Sequence, residues 1–158
     1  MNIFYLDHDP VKCAQSHVDR HVVKMIVEYA QLLSTARRLR GDDVGYKQTH
    51  VNHPCAVWVR ESNANYAWLH DLMVATADEY TFRYGKTHAT SRLFSDLWLP
   101  ASGEFTKPAL AMPEEYHCSD PLLAYRLYYR HGKAHLHKWT NRNPPPFMYE
   151  EEYAKVGT

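Results

Sequence analysis

The chain has 158 residues, 45% of them hydrophobic and 23% charged, and its 18 basic and 18 acidic side chains cancel to a formal net charge of zero. That length suits one domain around a single core, and the lack of any apolar run near bilayer length excludes a membrane span. Zero net charge excludes a uniformly cationic coat for nucleic acid. In chain order, Ile3 to Leu6 form a short extended start, without the basic opening or the length of a secretory leader. Asp9-Pro10 is a helix start, the carboxylate capping free amides and the proline taking the first helical position. A helical pattern then runs to about Arg40, with a jog near Asp19, and Gly41 ends it. Along it His17, His21, Lys24 and Glu28 recur at spacings of four, three and four, so they share one face. An apolar stripe runs beside them through Val18, Val22, Met25, Tyr29, Leu32, Ala36 and Leu39.

After a polar loop, Asn52 or His53 caps a second helix that opens at Pro54 and reaches about Tyr84, with Ser62 and Asn65 interrupting its apolar stripe. Ser91 starts a short helix through Trp98, and residues 101–119 are mostly irregular. Asp120-Pro121 repeats the earlier start and opens a helix to about Lys138. Pro144-Pro145-Pro146 forces an extended stretch. The expected fold is all-α, a compact single helical domain over residues 1–158 with its extended start at 3–6 and a charged tail at 149–158.

The ionisable stripe puts proton-handling groups at the edge of a core, where they are held rigidly enough to act. Its plainer alternative is a solvated face on which Lys24 and Glu28 form an idle ion pair, at most about 0.5 kcal/mol. His17-x-Asp19-x-His21 and His50-x-Asn52-His53 offer metal ligands, but zinc takes at least three and no spacing fixes a third. No glycine-rich phosphate loop occurs, so neither metal nor cofactor is expected. Cys13, Cys55 and Cys118 lie far apart, which fits a reduced interior. From Pro121 to Met148 there is no acid, and Arg126, Arg130, Lys133, Lys138 and Arg142 alternate with Tyr125, Tyr128, Tyr129 and Trp139. Basic side chains interleaved with rings suit a partner made of phosphates and bases.

Several pieces occur in a telling order: Ala14-x-x-His17 opens the first helix and His50-Val51 precedes the second. Leu69-His70-Asp71-Leu72, Glu79-Tyr80, Arg83-Tyr84-Gly85 and Pro113-Glu114-Glu115-Tyr116 follow, and a basic segment runs into Arg142-x-Pro144-Pro145. This pattern resembles the bacteriophage pyrimidine-dimer DNA glycosylases, the endonuclease V family. The resemblance implies a compact all-helical domain acting on DNA. Its nucleophile would be the α-amine of a threonine exposed by methionine removal, served by a glutamate on the first helix, with arginines gripping phosphates. Here Asn2 follows Met1, and its bulk disfavours removal of the methionine. Anchoring on Ala14-x-x-His17 puts Lys24 at the acidic position, with Asp19 and Glu28 the nearest acids. The imine-forming amine is then either absent or moved to Lys24.

The expected catalytic set is His17, Asp19, His21, Lys24, Glu28 and His50. Phosphate contacts are expected from Arg60, Lys86, Arg126, Arg130, Lys138 and Arg142, and base stacking from Tyr129 and Trp139. The expected partner is DNA or a nucleotide, with no membrane, in the cytoplasm (of the host cell for a viral protein); oligomeric state stays open. The alternative is a non-catalytic phage protein that sequesters a nucleotide or a nucleotide-derived signal. All of this requires the groups of the leading helix and the cations of the closing one to share a sheltered hollow.

Overall fold

An extended segment buried without a strand beside it must satisfy its peptide groups through side chains. Ile3, Phe4, Tyr5 and Leu6 are all buried. The Asn2 side chain accepts from Phe4 N at 2.8 Å and donates to Ala111 O at 2.7 Å. Cys13 Sγ accepts from Leu6 N and donates to Phe4 O, and Arg126 Nε donates to Leu6 O at 2.8 Å. Phe4 is turned into the left-handed region (φ 38°), a conformation that costs an ordinary residue about 1–2 kcal/mol. Its packing compensates: the ring stacks on His21 with centroids 4.2 Å apart.

Around this segment the computed structural model, which describes residues 1–157, is helical, with no strand among the described residues. The helices are α1 (Pro10–Ser16), α2 (Asp19–Leu39), α3 (Pro54–Glu61), α4 (Asn63–Tyr84), α5 (Phe94–Leu97) and α6 (Pro121–Leu127). The all-α expectation therefore holds. Both α1 and α2 pack along α4, and α3 packs on α2 and α4. The apolar stripe from Val18 to Ala36 is buried, and Leu39 at the helix end is exposed.

Three expected helices are shorter or broken, and each break has a side-chain or tertiary cause. The first was expected as one jogged helix from Pro10 to Arg40. It is two, because His17 and Val18 are extended. The closing segment supplies the bonds the helix gives up: Val18 N donates to the Tyr129 hydroxyl at 2.8 Å and Asp19 N to Lys138 O at 2.8 Å. The second breaks at Ser62, whose hydroxyl caps α4 through Asn65 N and donates to Glu104 O. Gly85, left-handed at φ 68°, ends α4. The helix expected from Pro121 to Lys138 stops at Leu127 and continues as a wide turn over Tyr128–Gly132 and a tight one over Ala134–Leu136. Gly132 permits this, because a Cβ there would meet the Tyr128 ring at 2.7 Å. The tail is held rather than loose: Tyr153 is buried, its hydroxyl accepts from Arg126, and its carbonyl meets His131 Nε2. Its last residue, Thr158, lies outside the described residues.

Candidate active site

Glu28, in the middle of α2, brings two amines together. The α-amine of Met1 lies 3.4 Å from one carboxylate oxygen, and Lys24 Nζ lies 3.7 Å from the other. The two differ in setting. The Lys24 side chain is 68% exposed, whereas Glu28 is 16% exposed and the Met1 side chain 4%. The Asn2 bonds described above fix the approach of the terminus to Glu28. Beside them sits His53, the N-cap of α3, whose Nδ1 accepts from Cys55 N at 3.1 Å. The neutral ring therefore carries its proton on Nε2. Burial lowers the His53 pKa, and the Met1 ammonium and His50 lower it further against the opposing pull of Glu28. His50 is exposed, left-handed at φ 51°, with Nδ1 on the Thr49 hydroxyl at 2.8 Å. Lys24, Glu28 and His50 thus gather near one amine that the anchored alignment left out.

His17 and His21 stand elsewhere, which corrects the expectation that His17, His21, Lys24 and Glu28 share one face. Because the helix breaks at His17 and Val18, the two imidazoles turn into the core. His17 is fully buried, its Nδ1 donating to Cys13 O at 2.7 Å and its Nε2 accepting from the Tyr29 hydroxyl at 2.5 Å. The Tyr129 hydroxyl accepts from Val18 N at 2.8 Å and shares a second hydrogen bond with His21 Nδ1 at 2.8 Å. Burial pushes both imidazoles down to about 3. Both remain neutral, His17 bonded at both ring nitrogens and His21 at Nδ1.

Asp19 is also inward. Its carboxylate takes the Thr140 amide and hydroxyl and the Arg83 guanidinium at 3.0 Å. Burial alone would raise its pKa, but these donors hold it below the usual carboxylate range. Arg83, fully buried, also pairs with Glu79 at 3.3 Å, and Arg142 closes the chain on Glu79 at 2.7 Å. The result is a row of alternating charge, Asp19–Arg83–Glu79–Arg142, tying α2 and α4 to the C-terminal segment. Glu79 and Arg83 belonged to the sequence pattern but had no assigned role, since spacing alone does not reveal a partner 60 residues away.

The cations expected to hold phosphate are largely committed. Arg126 binds Leu6 O, Asp7 and the Tyr153 hydroxyl. Arg130 binds the carbonyls of Phe147 and Glu150, and Arg142 holds Glu79. Arg60 binds Val51 O, while Lys86 and Lys138 are exposed. Tyr129 is fully buried under His21, so it presents no face to a base. Trp139 is partly buried, with Nε1 on Ser16 O. The closing segment meets His17 and His21 through packed Tyr129, its arginines are committed elsewhere, and of its cations Lys133 acts on His21.

Two further cations lie near His21. Arg20, Lys24 and Lys133 all act electrostatically on His21, lowering its pKa after burial and His17. Arg20 and Lys133 have no acidic partner among the described residues. The signal was in the sequence, since Arg20, Lys24 and Glu28 are spaced by four and four.

This arrangement coincides with a family. The sequence model of the family described as pyrimidine dimer DNA glycosylase matches residues 1–93, more than half of the 158, and the chain belongs to that family. The matched region holds the extended start, α1 to α4, and every member of the Met1–Glu28–His53 cluster. Comparison with curated proteins gave no match, and neither did comparison with solved structures.

Proposed function

We propose that this protein acts on DNA carrying a damaged or modified pyrimidine, excising the base through an amine nucleophile. The α-amine of Met1 attacks C1′ of the sugar. The glycosidic bond breaks, and the base leaves with the bonding electrons and takes up a proton. Loss of an amine proton and opening of the sugar ring then give an imine between Met1 and C1′. Glu28 accepts the amine proton and stabilises the cationic sugar. Arg20 and Lys133, the unpaired cations beside His21, hold backbone phosphates. By the same reasoning the protein works where phage DNA is copied, in the host cytoplasm.

The supporting observation is the 3.4 Å contact between the Met1 amine and Glu28, inside the region that matches the family. Its test is borohydride trapping on damaged and abasic duplexes. A covalent adduct is expected from the wild type and from Lys24→Ala, and none from protein extended by one residue before Met1. An adduct that survives the extension and disappears in Lys24→Ala assigns the nucleophile to Lys24. No adduct with any substrate overturns the catalytic proposal and leaves a DNA- or nucleotide-binding protein.

A further inference from the structure

A cavity of about 1060 Å³ forms a groove between α1 and the C-terminal segment, away from the amine cluster. Ser16, Asn141 and Arg142 line it at the Asp19 end of α2, and Asp19 and Glu28 are separated along that helix by about 13 Å. Its C-terminal wall lies wholly outside residues 1–93. The wall is preformed. Trp139 is fixed by its 2.9 Å bond to Ser16 O, and the Pro144–Pro146 stretch is rigid.

Its chemistry is specific. Three aromatic residues line it: the anchored Trp139, the buried Phe147, and Tyr149, which is 74% exposed. Asn141 and Asn143 offer amides able to donate and accept at once. Among its charges, Asp7 is paired with Arg126, and Arg142 is paired with Glu79 outside the groove. Lys12 and Glu150 remain, neither with an ionic partner among the described residues. One free ammonium suits one phosphate, one free carboxylate suits sugar hydroxyls, and rings with amides suit a planar heterocycle with a polar edge.

We infer that the groove binds a nucleotide with a single phosphate, its base against Trp139 and Tyr149 and its phosphate on Lys12. The ligand is either a free nucleoside monophosphate or one unpaired nucleotide of a strand. This goes beyond the amine site and does not depend on it.

Calorimetric titration of the full chain tests it, with the nucleoside 5′-monophosphates, inorganic phosphate, the nucleosides and a short single-stranded oligonucleotide as separate probes. Saturable one-site binding of at least one monophosphate is expected, with phosphate and nucleoside alone weaker. Lys12→Glu and Tyr149→Ala, both at exposed positions, should each weaken it about tenfold or more. Binding of the oligonucleotide alone, weakened by the same variants, assigns the ligand to a strand. Absence of binding by every probe, or binding unaltered in both variants, overturns the inference. Protein extended before Met1 should bind as the wild type does, so loss of trapping and loss of nucleotide binding report separately on the two sites.

Discussion

The two acids of α2 that sequence spacing singled out, Asp19 and Glu28, meet opposite fates. At Asp19 the charges alternate and close on themselves through Arg83, Glu79 and Arg142, with little exposed surface. At Glu28 a single carboxylate faces two amines, with His53 beside it. A self-neutralised row has nothing left to offer a ligand, and its removal exposes buried charge. An under-compensated cluster is poised to take an anionic partner and contributes little to folding. The start of the helix serves the architecture, and its middle keeps charge that the fold does not use.

The sharpest way to break that contrast is Glu28→Gln, which should slow trapping by about 10²–10⁴-fold while thermal denaturation moves little. Equal loss of stability would place Glu28 with Asp19 as an architectural residue. Glu79→Ala should do the reverse, lowering unfolding free energy by about 3–5 kcal/mol because two arginines lose their shared acid. Urea denaturation measures this, and a change below about 1 kcal/mol would remove the row from the stabilising account.

Acid should act on the core next. His17 and His21 titrate near 3 in the fold and near 6.5 as free side chains. The unfolded chain therefore binds more protons below 6.5, and stability present above that pH is lost as pH falls towards 3. Each histidine contributes a slope of up to about 1.4 kcal/mol per pH unit, and His21→Asn should remove one of the two. An unfolding free energy that is flat between pH 6 and 4 would contradict their neutral burial. Replacing Arg20 and Lys133 together by alanine should reduce the salt dependence of duplex binding by roughly 0.9 per lost phosphate contact, with stability within about 0.5 kcal/mol of wild type. The smallest effect is expected from Lys24→Ala, which removes an exposed ion pair worth at most about 0.5 kcal/mol and leaves trapping intact.

Much of this was legible in the chain. The Asp-Pro starts at Asp9 and Asp120 became capped helices with proline in the first turn, and the apolar stripe from Val18 to Ala36 became core. Local signals end where partners are distant. Nothing near His17 indicates that Tyr129 and Lys138 will take over the peptide bonds of Val18 and Asp19, so helical spacing groups the imidazoles with Lys24 and Glu28, a face they do not share. The acid-free run from Pro121 to Met148 looked like a phosphate-binding strip. Its arginines instead satisfy carbonyls and carboxylates of the opening segment, α4 and the tail, which composition cannot foresee. The ungapped anchor at Ala14 chose Lys24 because it counted residues along one helix, and the amine arrives from the opposite direction, along the extended start.

That start carries a consequence for how the molecule matures. Asn2 is clasped by Ala111 and Leu6 by Arg126, contacts spanning 109 and 120 positions. A nascent chain emerging from the ribosome cannot seat its first residues until nearly the whole polypeptide has been made. The Met1–Glu28 contact therefore gains the support of Ala111 and Arg126 only late in synthesis.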